Sequence, residues 1–331
     1  MRAFDYRRAH DVSGALALLD TDPDARFLAG GTNLVDLMKT GVERPARLVD
    51  VRSLPLDRIE STAAGGLRIG ATVTNSDLAA HPEVRRRYPA LTQAVLAAAS
   101  GQLRNMATVG GNLLQRTRCG YFADVTKPCN KRVPGSGCPA VEGEHHNHAI
   151  LGTTEHCVAT HPSDMGVALT AFDAVVSYET SDGPAEVPLA DFYLPVGDTP
   201  HQETALPPGA LITGVTLPAM PTAAHSRYRK VRERASYAFA IGSIAAALDV
   251  QDGVVREVRL AFGAVASRPW RALTAERMLT GAQAGAEAFA AAAQAELAQA
   301  KPLPHNGYKV TLMRNLVVAV LTELAEEATA R

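Results

Sequence analysis

The sequence predicts a soluble α+β protein with more than one domain, and three observations support this fold class. The chain has 331 residues, enough for two or three domains that each bury a core. Hydrophobic residues make up 47% and charged residues 20%, which are ordinary values for a globular protein. Helix-like and strand-like patterns both occur along the whole chain, which indicates a mixed fold.

The first segment, residues 1–58, alternates the two patterns. "DVSGALALLD" predicts a helix with Asp11 or Ser13 as its N-cap. "ARFLAGGTNLVDLMKTG" predicts a strand, a glycine turn and a helix from about Asn33, and "ARLVDV" predicts a short buried strand. We therefore expect a small unit of alternating strands and helices.

Short strands dominate residues 59–224. "GLRIGATVT", "AVVSYE" and "LITGVTLP" predict strands around an apolar helix near "ALTQAVLAAAS". The stretch 115–162 interrupts this pattern, because it is rich in Cys, His, Gly and Pro and shows no periodicity. Loops of this length inside a compact domain are uncommon and usually functional.

A domain boundary is predicted near residue 224, just after Pro218 and Pro221. Beyond it, "IGSIAAALDVQDGVVREVRLAFGAV" predicts two strands joined by a tight Asp-Gly turn. Three helices follow, in "LTAERMLTG", in the Ala-rich stretch 282–300 and in "KVTLMRNLVVAVLTELAEEA". The C-terminal domain is thus expected to span residues 225–331.

Two glycine pairs, Gly30-Gly31 and Gly110-Gly111, stand in similar surroundings, and each is expected to follow an apolar strand. Such a pair allows positive φ and close approach of a ligand to the backbone. Its N–H groups can converge on a phosphate, and a helix from Asn33 would add its positive end. Two ordinary tight turns are the alternative. Neither pair matches the dinucleotide-binding or P-loop motifs.

All four cysteines of the chain lie in this loop-like stretch, with the spacing C-x9-C-x8-C-x18-C. A disulfide framework suits small secreted domains rather than this chain. Structural zinc usually shows closely spaced ligand pairs, whereas a [4Fe-4S] cluster requires four thiolates. Spacing leaves zinc and iron–sulfur open, since half of the ten histidines lie in the same stretch: His145, His146, His148, His156 and His161.

Five basic residues accompany the cysteines: Arg116, Arg118, Lys127, Lys131 and Arg132. They would offset the negative charge of thiolates, or they form a solvated basic loop. The chain as a whole has a net charge of −1, which gives no electrostatic indication of nucleic acid or an anionic membrane as a partner.

No apolar run approaches the ~18 residues of a membrane span. The N-terminal residues carry scattered charges and do not resemble a secretory signal. No nucleophile–base pair or H-E-x-x-H motif is evident, so no catalytic residue is expected.

Four stretches together, "RFLAGGTNLVDLMK", "ATVGGNLLQRTRC", "THPSDMGVAL" and "YRKVRERASYAFA", resemble the FAD-binding medium subunits of the xanthine dehydrogenase family over nearly the whole chain. The cysteine-rich stretch is most similar to an insert in the flavin subunit of periplasmic aldehyde oxidoreductases, which carries an extra [4Fe-4S] cluster. The flavin subunit of 4-hydroxybenzoyl-CoA reductase has a similar insert and is the alternative.

The resemblance implies a two-part α+β FAD-binding domain of the vanillyl-alcohol-oxidase (PCMH) type at residues 1–224, with parts at about 1–58 and 59–224 and the iron–sulfur insert at 115–162. A smaller α+β domain of the CO dehydrogenase flavoprotein type would follow at 225–331.

The implied roles are carried over residue by residue. The first glycine loop would hold the FAD pyrophosphate, and the segment from Thr108 to Asn112 would line the second side of the cofactor. Asp164 would bind the adenosine end or the ribityl side, and Lys230 would lie near the flavin. The implied FAD-binding residues are Arg26, Phe27, Leu28, Ala29, Gly30, Gly31, Thr32, Asn33, Leu34, Thr108, Gly110, Gly111, Asn112, Asp164 and Lys230. The implied cluster ligands are Cys119, Cys129, Cys138 and Cys157.

The implied function is electron transfer within a heterotrimer. Substrate would be oxidised in a large molybdenum subunit, and electrons would pass through [2Fe-2S] clusters of a small subunit to FAD here and then to an external acceptor. The chain would be cytoplasmic, or periplasmic after export with a signal-bearing partner. A self-contained flavin oxidase and a zinc-stabilised interaction protein without flavin are the alternatives from other classes.

Overall fold

The computed structural model describes residues 1–329, so the last two residues of the predicted C-terminal domain, 330 and 331, lie outside the described part. The described residues form three β-sheets with helices packed around them.

The first unit is a small parallel sheet of β1 Asp5–Arg8, β2 Ala25–Leu28 and β3 Arg47–Asp50, in the order β1-β3-β2. The carboxylate of Asp11 accepts a hydrogen bond from the Gly14 N–H at 2.6 Å, which confirms Asp11 as the N-cap of the first helix. The second helix starts after Asn33 and ends at Gly41, whose φ is 81°. The predicted helices α1 Val12–Asp20 and α2 Leu34–Thr40 and the predicted strands β2 Ala25–Leu28 and β3 Arg47–Asp50 are confirmed, whereas the strand β1 Asp5–Arg8 was not predicted.

The second unit is a five-stranded antiparallel sheet with the order β4-β5-β8-β6-β7. Its strands are β4 Ile59–Ser61, β5 Leu67–Gly70, β6 Val175–Thr180, β7 Gly183–Pro188 and β8 Leu211–Leu217. The helices around it are α3 Asn75–Ala80, α4 Pro82–Arg87, α5 Pro89–Ala97, α6 Gly101–Arg104, α7 Val109–Leu113, α8 Gly120–Ala123, α9 Asp164–Ala171 and α10 Leu189–Phe192. Helices α5 and α9 are apolar and contribute to one core with the sheet.

The expectation that the second glycine pair follows a strand is wrong. Gly110 and Gly111 lie inside α7, and the Thr108 hydroxyl caps this helix by accepting the Gly111 N–H at 3.3 Å. The physical reason is close packing, because a Cβ atom on Gly110 would lie 3.1 Å from the Cβ of Ala71. Here glycine lets a helix approach the end of β5; it does not provide a turn with positive φ.

The cysteine-rich stretch 115–162 is mostly irregular, as predicted, apart from α8 and a 3-10 turn at Pro139–Val141. It is nevertheless anchored in the protein. Ile150 and Leu151 are fully buried in the core of the last unit, and both of their N–H groups donate to the Val265 carbonyl at 2.9 Å. The insert therefore connects the two large units.

The third unit is an antiparallel sheet of β9 Ser226–Val231, β10 Gly242–Gln251, β11 Val254–Gly263 and β12 Trp270–Arg271, in the order β12-β11-β10-β9. Its tight turn is confirmed at Asp252 and Gly253, with φ of 53° and 77°. Alternate residues of β10 enter different cores: Ala245 and Ala247 pack with the second unit, and Ile244 packs under the helices that follow. The helices that follow are α11 Leu273–Leu279, α12 Ala286–Leu297 and α13 Tyr308–Thr329.

Candidate cofactor site

The first glycine loop lines two adjoining cavities, one of about 1070 Å³ and one of about 150 Å³. The larger volume is at the upper end of the roughly 300–1,000 Å³ typical of ligand pockets. The two cavities share the lining residues Gly30, Gly31, Thr32, Asn33 and Gly111.

Both glycines of this loop are required by the backbone. Gly31 has a φ of 72°, in the left-handed region. A Cβ atom on Gly30 would lie 1.8 Å from the carbonyl oxygen of Met106, so the loop runs directly against the backbone of the segment before α7. Strand β2 thus ends in a turn that only glycine can form.

The loop presents several unpaired hydrogen-bond donors. Within residues 1–329, the backbone N–H groups of residues 30–34 donate no hydrogen bond. The side-chain Nδ2 of Asn33 is buried and has no partner there either, while its Oδ1 accepts the Arg116 N–H at 3.0 Å. Buried donors are nearly always paired in native proteins. Successive free N–H groups of this kind suit an anion such as a pyrophosphate.

The second glycine segment differs from this pattern. The Gly110 N–H donates to the Ala71 carbonyl at 2.9 Å, and the Gly111 N–H to Thr108. The interpretation of this segment as a second set of free N–H donors is therefore wrong. Thr108 and Gly110 line the smaller cavity, whereas Asn112 lines the larger one and accepts the Ser163 hydroxyl at 2.6 Å.

Asp164 and Lys230 meet at the larger cavity, although one begins α9 and the other lies on β9. The Lys230 Nζ lies 2.8 Å from the Asp164 Oδ2, and only 3% and 5% of the two side chains are exposed. The Tyr228 hydroxyl donates to the other carboxylate oxygen. Burial raises the pKa of Asp164, and the ammonium group and the two hydrogen bonds oppose that rise. The pair fixes a carboxylate at the cavity wall.

Two residues implied by the resemblance, Arg26 and Leu28, line neither cavity. The Arg26 guanidinium donates to the carbonyls of Pro23 and Ala25 at 3.2 and 2.7 Å. The other implied residues of the loop do line a cavity: Phe27, Ala29 and Leu34 border the smaller one.

Sequence reasoning did not predict several lining residues of the larger cavity, among them Arg118 and the aromatic residues Tyr237 and Phe239. The two aromatic side chains are 55% and 50% exposed. The Arg118 guanidinium lies 5.0 Å from the Phe239 ring centre and 3.0 Å from an Asp36 carboxylate oxygen. The sequence signal that could have identified Tyr237 and Phe239 was the stretch "SYAFA", whose aromatic residues fit no helix or strand pattern.

The four cysteines line one small cavity, of about 10 Å³, and all are free thiols. In the described chain, no three His, Cys, Asp or Glu side chains already form a group that could hold a metal ion. The donor set itself fits a thiolate-ligated centre, because the four thiols border the same cavity and four thiolates are the number that a [4Fe-4S] cluster requires. The His148 Nε2 also lies 3.2 Å from Cys119 Sγ.

Backbone N–H groups point at these sulfurs. The Ala159 N–H donates to Cys157 at 3.4 Å, and Cys119 and Cys138 each precede a short helical turn. Burial raises the pKa of the Cys119 thiol. The thiol groups of Cys138 and Cys157 share a hydrogen bond, which lowers the pKa of Cys138 and raises the pKa of Cys157. Such N–H···S contacts suit thiolate ligands, whose properties depend on hydrogen bonds to sulfur.

Most basic residues of the insert are paired within the protein. Lys131, which is 6% exposed, lies 3.3 Å from a Glu203 carboxylate oxygen, and Arg116 binds the same carboxylate at 2.7 Å. The Arg132 guanidinium donates to four backbone carbonyls between Tyr121 and Lys127. Because these basic side chains are paired, they do not form a purely solvated loop, and their charges are not free to offset those of thiolates. They hold the insert in place.

This architecture and this glycine loop occur in a chain whose two parts match models of known protein families. Residues 2–220 match the model described as the FAD binding domain in molybdopterin dehydrogenase, and residues 226–324 match the CO dehydrogenase flavoprotein C-terminal domain. The chain belongs to the FAD-binding subunits of the xanthine dehydrogenase family of molybdenum enzymes. It is thus an FAD-binding oxidoreductase subunit with the α+β fold that the resemblance implied.

Individual relatives are similar along the whole chain. The aldehyde oxidoreductase FAD-binding subunit PaoB of Escherichia coli is 52% identical over 99% of this chain and 100% of its own length. The glyceraldehyde dehydrogenase medium chain of Sulfolobus acidocaldarius is 25% identical over 96% of this chain and 95% of its own length. The crystal structure of quinoline 2-oxidoreductase from Pseudomonas putida 86 has a chain that is 25% identical, with a TM-score of 0.77 and coverage of 99% and 98%.

The family match contradicts the alternative of an interaction protein without flavin. Among the helices of residues 1–329, none combines the length and the hydropathy needed to cross a membrane.

Proposed function

We propose that this chain is the electron-transfer flavoprotein subunit of a molybdenum-containing aldehyde oxidoreductase. The chain receives electrons from [2Fe-2S] clusters of a small partner subunit and delivers them to an external acceptor. Aldehyde oxidation takes place in a large molybdenum-cofactor subunit, and the three chains form a heterotrimer. The observation that carries this proposal is the 52% identity along the whole chain to an aldehyde oxidoreductase FAD-binding subunit.

Bound FAD supplies the ability to accept electrons singly and to release one or two. The protein's own contribution is binding and orientation. The free N–H groups of residues 30–34 would hold the pyrophosphate by donating hydrogen bonds to it. Asp164, oriented by Lys230 and Tyr228, is an acceptor in the wall of the larger cavity, at the adenosine end or the ribityl side.

We further propose that Cys119, Cys129, Cys138 and Cys157 bind one [4Fe-4S] cluster. The shared cavity, the free thiols and the backbone N–H groups near the sulfurs support this proposal. Metal ligation would also stabilise the insert, because it adds binding free energy to a segment with little regular structure.

Purification of the complex with its partner subunits tests the proposal. We expect a large molybdenum-containing partner, a small iron–sulfur partner, and aldehyde-dependent reduction of an external acceptor. The isolated chain should show a flavin absorption band on a broad iron–sulfur shoulder and should not oxidise aldehydes. Aldehyde turnover by the isolated chain, or a colourless protein that contains zinc, would contradict the proposal.

Single substitutions separate the two cofactors. Cys129→Ser should lose the iron of this chain and keep FAD, because Cys129 lines neither flavin cavity. Val133→Ser is the matched control, since Val133 is 60% exposed in the same loop. Equal iron contents in the two variants would refute the ligand assignment.

The compartment stays a prediction: the cytoplasm, or the periplasm after export together with a signal-bearing partner. Cell fractionation followed by detection of the chain distinguishes the two.

A further inference from the structure

One histidine contacts the proposed cluster ligands directly. His148 Nε2 lies 3.2 Å from Cys119 Sγ, within hydrogen-bonding distance of a sulfur atom. The contact joins two residues that are 29 positions apart in the insert. The sequence does not distinguish this histidine from His145 and His146, which lie within three positions of it.

The C-terminal unit fixes the position of this ring. The Asn306 Nδ2 donates to the His148 carbonyl at 3.2 Å, and the Lys309 Nζ donates to the adjacent Asn147 carbonyl at 2.9 Å. Both residues are fully buried, Asn306 just before α13 and Lys309 in its first turn. The His148 N–H donates to the His145 carbonyl at 2.9 Å. The backbone that carries the imidazole is therefore held from both sides.

The chemistry of the contact assigns the direction of the hydrogen bond. In the cluster-bound state proposed above, Cys119 is a thiolate, which accepts hydrogen bonds and has no proton to donate, so Nε2 is then the donor. A neutral imidazole carries one N–H, and the other nitrogen is an acceptor. The Nδ1 of His148 is buried and has no partner within residues 1–329, so no hydrogen bond at that nitrogen requires the opposite tautomer.

The ring also borders a cavity that shares lining residues with the larger cavity of the flavin site. His148 and Cys119 border a further cavity of about 570 Å³, together with Arg118, Glu233 and Phe239. The last three residues border the larger flavin cavity as well. The thiol that His148 contacts is therefore next to the wall that separates the two cofactor sites.

We propose that His148 is a positioning residue that donates an N–H···S hydrogen bond to Cys119 and thereby raises the reduction potential of the centre bound there. This inference rests on the [4Fe-4S] cluster proposed above. A hydrogen bond to a ligating sulfur withdraws electron density and favours the reduced, more negative form of a cluster.

The test compares reduction potentials in the purified complex. His148→Phe and His148→Ala remove the donor, and His148→Gln retains an N–H donor. His146→Phe is the control, because His146 borders the same cavity and stacks on Tyr308 instead. Iron content is measured first, and redox titrations followed by electron paramagnetic resonance then give the midpoint potential.

We expect full iron content in all variants. In His148→Phe and His148→Ala, the redox equilibrium of the cluster should shift about tenfold towards the oxidised form. The midpoint potential should therefore fall by about 59 mV for a one-electron couple. His148→Gln should lie near wild type and His146→Phe at wild type. Unchanged potentials in both donor-free variants would overturn the inference and leave the cluster intact. Loss of iron from both would overturn it too, because His148 would then be a ligand. An iron-free wild-type chain would refute the cluster itself.

Discussion

Substitution of Gly30 by alanine tests the structural basis of cofactor binding. The new Cβ atom would lie 1.8 Å from the Met106 carbonyl oxygen, whereas real Cβ atoms essentially never come nearer than 3.0 Å to such an atom. The glycine loop and the segment before α7 must therefore separate by more than about 1 Å. Because the atom that obstructs the Cβ is backbone, no rotation of a side chain relieves the contact.

The expected cost follows from this geometry. Overpacking of this kind costs about 1–3 kcal/mol. Since the displaced loop carries the free N–H groups of residues 30–34, we expect the cost to appear in FAD affinity as well as in stability. At 1.4 kcal/mol per factor of ten, FAD should bind about 5- to 150-fold more weakly.

Titration of the apo-chain with FAD, followed by flavin fluorescence, and thermal unfolding measure the two effects. Gly285→Ala is the matched control, because a Cβ there meets no atom within 4 Å. Met106→Ala should fail to rescue Gly30→Ala, since it leaves the carbonyl in place. Wild-type FAD affinity in Gly30→Ala, with a melting temperature equal to that of Gly285→Ala, would refute the reasoning.

Two further predictions concern buried charges. Lys230→Met should reduce the free energy of unfolding by about 3–5 kcal/mol in denaturant titrations, because it leaves the buried Asp164 carboxylate without its cation. Asp164→Asn in the same background should restore part of the loss, and a loss below about 1 kcal/mol would contradict the prediction. Burial disfavours ionisation of Asp50, but hydrogen bonds from Arg52 and Tyr6 outweigh it and lower its pKa from 3.8 to about 2. Its contribution, at most about 2 kcal/mol, is present above pH 4 and lost as the pH falls towards 2. Asp50→Asn should therefore flatten the pH dependence of stability in that window, and an unchanged acid profile would exclude this role.

Most regular elements could be predicted from the sequence because their signals are local. The cap at Asp11, the turn at Asp252-Gly253 and the long closing helix depend on residues a few positions apart. The second glycine pair was the exception. Its surroundings resemble those of the first pair, but Gly110 packs against Ala71, a contact that no local pattern reveals.

The candidate site was predictable in composition rather than in geometry. The glycine loop and the four cysteines are visible as motifs, and the family resemblance assigned their cofactors. The structure adds that Arg26 and Leu28 border neither cavity and that Tyr237 and Phe239 border the larger one. The direction of a side chain and the segments that it meets are set by tertiary packing.

The sequence by itself determined the α+β class, the glycine loop and the set of four thiols, because composition and short-range spacing encode these features. Only the tertiary structure decided which backbone N–H groups stay free, that Lys230 binds Asp164, and that His148 reaches Cys119. The two contacts join residues that are 66 and 29 positions apart in the chain. Their distances follow from how the units pack, which no single stretch of sequence specifies.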